Sequence, residues 1–363
     1  MLNIKNHSVM KNIFEIMNSV NYEIRNGEYE NAAERFHQAL RINPDFAWDS
    51  LWIQTPWDFY VALLPFLTSE FDVIHIRSKM ACINTMLYLN QFKQALALIA
   101  KVESLIPRDP SLLEMRARAN AGLGYYYTAL KYVEMLEATF DNEYEYPDGD
   151  YQVTPLELFK LECLLELGED TEFEALIGEL LTKRLDPDLL VEQSFYLRNC
   201  GRYTEGLKAA EMALRIRNTS VVALFQRGWF HFFTGLNATT DFHAFLAAPA
   251  TPEKEYYLPF VYIYLGQHSK ARRSMLQYLS KYPDSPDALY LCSEIYGLLG
   301  DTALSIDCLE QAFKHGLASR APLYADPALK SVRDTPEGKE LIINHLRTLE
   351  REDMRAAREI SYC

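Results

Sequence analysis

Residues 252–285, PEKEYYLPFVYIYLGQHSKARRSMLQYLSKYPDS, and residues 286–317, PDALYLCSEIYGLLGDTALSIDCLEQAFKHGL, decide the fold, because the second stretch repeats the pattern of the first. In the first copy Tyr262, Leu265, Gly266, Ala271, Met275, Tyr278 and Pro283 mark the pattern; in the second stand Tyr296, Leu299, Gly300, Ser305, Leu309 and Ala312. Apolar residues recur three and four apart on either side of Gly266, as they must if two short helices each bury one face. The glycine falls where the first helix stops, since it tolerates the backbone conformation that ends a helix. Ala271 and Ser305 occupy the point where the two helices come closest, so a small side chain is expected there. Pro283 cannot continue the helix, Ser285 can cap the next one, and Pro286 suits its first position. A period of about 34 residues belongs to repeat architectures. It argues for a binding scaffold and does not name the ligand.

On these residues the chain resembles the tetratricopeptide repeats, whose pattern runs through a bulky residue, a small residue, an aromatic and a glycine to alanine, aromatic, alanine and a closing proline. Residues 286–317 keep Tyr296, Gly300 and Ala312 but place Ser305 at one alanine position and lack the closing proline. The same pattern recurs along the chain. A first hairpin spans about 13–46, with Gly27-Glu28-Tyr29 at its turn, then Ala32, Phe36, Ala39 and Pro44. An insertion at about 47–75 follows, carrying Trp48, Trp52, Trp57, Phe59, Tyr60, Phe66 and Phe71 and broken by Pro56 and Pro65. So many aromatics bury large apolar areas, either as an irregular helical pair packed on the first repeats or as an aromatic contact surface. The second hairpin has Asn90-Gln91-Phe92 at its turn, and the third starts at Pro110 with its turn at Gly124. An acidic, tyrosine-bearing loop at about 139–153 holds Asp141, Glu143, Glu145, Asp148 and Asp150. It lacks the glycine placement and final glutamate of a helix-loop-helix calcium site, and reads as a solvated insertion or a docking spot for a basic partner. The fourth unit, 154–186, is the most divergent, with Phe173 where a small residue is usual; the fifth starts at Pro187 and the sixth near Val221.

Beyond Leu317, residues 324–332 resemble the closing segment seen after the last repeat in bacterial members of that family. Asp326-Pro327 and Thr335-Pro336-Glu337 are helix-start signals, and Ile342, Leu346 and Leu349 share one face of the last helix, as a cap over the final hairpin requires. The expected architecture is therefore all-α: a right-handed α-solenoid of about eight tetratricopeptide-like hairpins over residues 1–335, closed by an amphipathic capping helix at 336–363.

With 363 residues, about half of them apolar, the chain can bury a substantial core. Its formal net charge of -14 opposes nucleic acid binding, which depends on neutralising phosphates with Lys and Arg. Lys5, His7, Lys11 and Glu15 interrupt any apolar run at the N-terminus, and no stretch approaches the length of a membrane span. The cysteines Cys82, Cys163, Cys200, Cys292, Cys308 and Cys363 form no Cys-x-x-Cys pair, and most fall on apolar helix faces as small buried hydrophobes. A cytoplasmic protein without membrane contact is expected.

The sequence contains no phosphate-binding glycine loop, no His-Glu-x-x-His, no Gly-x-Ser-x-Gly and no dinucleotide fingerprint. His231 and His243 are too far apart to share one helix face. No catalytic residue, cofactor or metal is expected, and the chain reads as a non-enzyme. In the family that it resembles, the first helices of successive hairpins line a concave groove. The resemblance places Phe225, Trp229, Phe232 and Phe233 of the sixth hairpin, Tyr256, Phe260 and Tyr264 of the seventh, and Tyr290 of the eighth in that groove, with Glu294 beside them. Phe225, Trp229 and Phe232 form one helical stripe, which would suit an apolar peptide or amphipathic helix; the alternative is that these rings are interhelical core or are covered by the C-terminal helix. The two-carboxylate clamp for chaperone C-termini is absent, since Asn21 and Asn84 fall where its asparagines sit but Met17 and Met80 occupy the lysine places. The expected function is a scaffold binding a peptide or partner protein in an assembly or regulatory complex. A peptide-responsive sensor is one alternative. The other is an enzyme or substrate-presenting subunit with a pocket between the aromatic insertion and the groove.

Overall fold

The computed structural model describes residues 2–51, 55–72, 74–139 and 155–360, with the backbone alone for 2–11 and Pro155. Nearly all of the expected acidic loop, Trp52 of the aromatic insertion and Cys363 lie outside the described residues. Among the described residues every regular element is helical, and the chain divides into two compact units, Met1–Gly122 and Leu123–Cys363.

The first unit contains α1 (Leu2–Arg25), α2 (Tyr29–Ile42), α3 (Pro44–Asp49), α4 (Trp57–Ser69), α5 (Ile76–Tyr88), α6 (Phe92–Glu103) and α7 (Pro110–Gly122). Helices α1 and α2 form the first hairpin and α5 and α6 the second, with α4 packed between α2 and α5. Asn43 starts α3, its side chain accepting from the Phe46 amide at 3.1 Å with Pro44 in the first turn. That short helix carries Trp48 onto Phe36, edge to face at 4.9 Å, while Phe59 of α4 meets the same ring at 5.6 Å. Most of the aromatic insertion thus fills the core beside the first hairpin, and the Trp48 indole N–H finds Ser78 Oγ at 3.0 Å. At the second turn, where the sequence places Asn90-Gln91-Phe92, Asn90 adopts φ +58°, a conformation that asparagine tolerates better than branched residues.

The second unit runs through α8 (Tyr126–Glu137), α9 (Pro155–Leu167), α10 (Asp170–Lys183), α11 (Pro187–Asn199), α12 (Tyr203–Ile216), α13 (Val221–Phe233), α14 (Thr239–Ala247), α15 (Pro252–Tyr264), α16 (His268–Lys281), α17 (Pro286–Leu298) and α18 (Thr302–Lys314). It closes with α19 (Ala321–Ala325), a 3-10 turn at Pro327–Leu329, α20 (Lys330–Arg333) and α21 (Pro336–Ile360). Helices α9 to α18 pair in sequence as five antiparallel hairpins of the tetratricopeptide type. At the turn of the fourth of them Gly266 has φ +69°, its N–H bonded to Ile263 O and that of Gln267 to Tyr262 O, both at 2.8 Å, which satisfies the last carbonyls of α15. Ser285 accepts from Ala288 N as the cap of α17, ahead of Pro286. In the divergent hairpin, Phe173 is accommodated by stacking on Tyr196 at 4.4 Å.

Two features depart from the simple series. The hairpin expected from Pro110 through Gly124 is divided, with α7 in the first unit and α8 in the second, where α8 packs on α9 and α21. The last helix also reaches further than a cap of the final hairpin. Ile342 and Leu346 pack with Leu309, Leu323 and Val332 as that role requires, but the C-terminal half of α21 lies on α8. There Asp353, 1% exposed, accepts from the Tyr127 and Thr128 amides at 3.0 and 2.9 Å and from Thr128 Oγ1 at 2.8 Å, so it caps the N-terminus of α8 from a distant helix. Arg320 Nη2 lies 3.0 Å from Asp353 Oδ2 and also bonds Gly124 O. Nearby, His345 stacks on Phe313 at 3.7 Å and donates Nε2–H to Leu317 O, and burial pushes its pKa down to about 4, so the ring is neutral.

Replacing Asp353 with alanine leaves Arg320 buried without its counter-charge and two amides of α8 without an acceptor. The expected loss is about 3–5 kcal/mol in chemical denaturation followed by circular dichroism; a change below about 1 kcal/mol would place the contact among dispensable surface pairs.

Candidate functional site

The eight aromatic residues expected to line a groove all lie in the second unit, on α13, α15 and α17, the first helices of three successive hairpins. The structure brings them together but does not leave most of them open. Phe225 is 2% exposed, and Trp229, Phe260 and Tyr290 are also buried. Phe225 stacks on Tyr257 at 4.4 Å and meets Phe260 at 6.0 Å, while Trp229 stacks on Phe233 at 4.1 Å. Phe225, Trp229 and Phe260 belong to the core shared by the first helices, and Tyr290 packs with Leu323, Leu329 and Val332, so a ligand could not reach their faces without moving a helix or the segment that follows α18. Phe233, Tyr256 and Tyr264 are half-buried. Phe232 remains 46% exposed, 4.8 Å from the Tyr264 ring, and Leu236 in the following turn is 55% exposed. The outward part of the expected groove is thus an aromatic edge of Phe232, Phe233 and Tyr264.

The chain itself covers part of the same face. The segment from Arg320 to Arg333 lies against α9, α11 and α17. Glu166 of α9 accepts from the Ala321 amide at 2.9 Å, the Arg320 amide and Ser319 Oγ, which fixes the start of the segment. Gly297 of α17 lets the segment approach closely, because a Cβ built there would sit 2.3 Å from Ala328 O. Arg198 of α11 reaches Asp326 at 3.8 Å and lies over the Trp229 and Phe195 rings.

Glu294, beside Tyr290, is 4% exposed. Burial, with the Asp326 carboxylate adding to it, holds the Glu294 carboxyl well above the ordinary range, while Arg198 and Tyr256 pull the other way. Burial also drives the Tyr256 and Tyr290 hydroxyls up. Glu294 Oε2 and Tyr290 Oη have no hydrogen-bond partner among the described residues. The cluster is a polar seam sealed beneath the segment. No sequence motif announces it, because Arg198, Glu294 and Asp326 come from three separate elements.

Other chemistry-bearing groups have structural roles. Asp241 of α14 holds His231 Nδ1 at 2.6 Å and Arg227 Nε at 2.8 Å and so ties α14 to α13. Burial pushes the Cys82 and Cys292 thiols up to about 12 and Cys308 to about 11, which keeps them protonated at neutral pH. Among the described residues no group of three or more His, Cys, Asp or Glu is arranged to hold a metal ion, and no helix is long and apolar enough to cross a membrane. In the first unit, Trp57 and Tyr88 stack at 4.3 Å and 3° with both rings about half exposed, so part of the aromatic insertion faces outward.

No family model matches the chain, and no curated protein matches it. Solved structures are similar in helical-repeat arrangement. The APC/C hetero-tetramer Cut9–Hcn1 aligns over 92% of this chain and 66% of its own at 13% identity, with a TM-score of 0.49. The human IFIT1 dimer with PPP-AAAA aligns over 94% of this chain and 87% of its own at 16% identity and 0.47. A tetratricopeptide repeat protein from Parabacteroides merdae aligns over 93% and 99% at 12% identity and 0.39. Each score is below 0.5, so the fold rests on the hairpins of the chain itself, with their paired helices, left-handed turns and interlocked first helices.

Glu294 gives the seam a pH signature. Its carboxyl binds a proton more tightly in the folded chain than in the unfolded one, so its contribution to stability is full below the unfolded value of about 4.3 and is lost as pH rises through the raised folded value. Glu294→Gln cannot ionise. Its melting temperature should fall less than that of the natural chain from about pH 5 to about pH 8, with an advantage of about 1.4 kcal/mol at the upper end for each pK unit of elevation. Parallel melting curves for the two proteins would refute the assignment.

Proposed function

We propose that the chain is a non-catalytic helical-repeat scaffold that binds a peptide or partner protein within an assembly or regulatory complex, in the cytoplasm, with the aromatic edge of the second unit as its contact. The grouping of Phe232 with Phe233 and Tyr264 carries this reading, since Phe232 is 46% exposed and lies 5.4 Å and 4.8 Å from those two rings, so that the three form one apolar edge and not a lone exposed residue. Phe233 and Tyr264 frame Phe232, and Leu236, two residues beyond Thr234 at the end of the same helix, is a further exposed apolar side chain. Trp229 stacks on Phe233 and Phe242 on Tyr264 behind the edge, which fixes those rings and lowers the entropy lost on binding. The closure of the Glu294 seam supports a non-catalytic role, because this raised carboxyl has almost no solvent-accessible surface.

A peptide-responsive sensor is the second reading. It is favoured by the segment 320–333 lying on the first helices, where a ligand would compete with it.

Affinity capture with the full chain, compared with a Phe232→Ala, Leu236→Ala variant, tests the scaffold reading. Both positions are exposed, so the variant should melt within about 1 kcal/mol of the natural protein, and at least one specific partner identified by mass spectrometry should be lost. Truncating a contact of this size is expected to weaken binding by about 10-fold or more. Retention of every partner by a folded variant would remove the aromatic edge as the site.

A further inference from the structure

Helix α16 carries His268, Lys270, Arg272, Arg273 and Lys281 and no carboxylate, in a chain whose formal net charge is -14. All five are exposed. Lys281 is taken up by Glu255 at 2.8 Å, but among the described residues no carboxylate pairs with Arg272 or Arg273. His268, Arg272, Arg273, Leu276, Gln277 and Ser280 line an open groove of about 810 Å³, with Leu299 at its side. The Arg272 guanidinium lies over the Tyr296 ring at 5.6 Å, a contact that holds its plane in place and leaves its N–H groups free to donate. The groove runs along the second helix of its hairpin, so it belongs to a different surface from the aromatic edge and does not depend on the function proposed for that edge.

We infer that this groove docks an acidic peptide segment of another protein. Two guanidinium groups and an imidazole in one trough match closely spaced carboxylates, which Arg recognises by paired N–H···O bonds. Leu276, 47% exposed, and Leu299 offer an apolar contact to an intervening side chain, and Gln277 and Ser280 can hydrogen-bond an extended backbone. That mixture fits a peptide better than a polynucleotide, whose affinity comes from many phosphates neutralised along its length. Here three of the five basic side chains of α16 line the trough, and the chain as a whole has 50 acidic against 36 basic residues.

The probe is a fluorescently labelled decapeptide rich in Glu with one Leu, titrated against the full chain by fluorescence anisotropy. Saturable binding that weakens with added salt is expected. It should fall by about 10-fold or more in the Arg272→Glu, Arg273→Glu variant and by less in Arg272→Gln, Arg273→Gln. A control with the same charge change on distant exposed lysines, Lys93→Glu and Lys208→Glu, should bind as the natural chain does. Circular dichroism checks that each variant is folded. Three results would overturn the inference: no saturable binding to the natural chain; equal loss in the groove variant and the lysine control, which would mean that only net charge is sensed; or tighter binding of a single-stranded oligonucleotide that the groove variant abolishes.

Discussion

The second unit depends on one buried carboxylate. Burying a charge in a protein interior is costly unless its lone pairs are satisfied, and Asp353 meets that condition with two backbone amides, a hydroxyl and a guanidinium. The guanidinium belongs to Arg320, which also reaches Gly124 O, while the Arg320 backbone N–H goes to Glu166. One residue therefore joins the turn before α8 to α9 and α21 and sets where the segment through Asp326 begins. From that point Asp326 meets Arg198, and Ala328 lies against Gly297. The segment so placed packs on Tyr290 and brings Asp326 to the arginine that lies over Trp229, whereas Phe225 and Phe260 are buried by packing between α13 and α15.

The local grammar of the fold was legible in the sequence. Gly266 and Gly300 mark left-handed turns, Ser285-Pro286 marks a helix start, and the apolar spacing gives the pairing of helices. These are short-range effects of backbone conformation and capping, and neighbouring residues suffice to show them. The burial of Phe225, Trp229, Phe260 and Tyr290 was less legible, because helical periodicity assigns residues to a face without giving the distance to the next first helix. Asp353 had no signal at all. In a run of alternating charges a single aspartate reads as solvated, and only the return of α21 to α8 buries it. The division between α7 and α8 was hidden for the same reason: the repeat pattern continues across it, whereas α8 packs on α9 and on the distant α21.

Two surfaces of the second unit differ in chemistry as well as in place. The aromatic edge at Phe232 is apolar and held rigid by rings behind it, while the trough along α16 is cationic and its side chains stand largely free. Apolar contact and charge pairing respond oppositely to salt. Binding at the two could therefore be told apart by ionic strength alone, and a repeat scaffold gains from such separation because each hairpin presents its own pair of helices.

The contact between Thr128 and Asp353 spans 225 residues, and this has a consequence for biogenesis. On a ribosome, α8 emerges long before the carboxylate that caps it has been polymerised, so its first turn must wait with open amides while five hairpins are made. Helical repeats ordinarily fold through contacts between neighbours in sequence. Here α21 adds a long-range contact, and the unit becomes a single cooperative whole only once α21 has been made and has returned to α8.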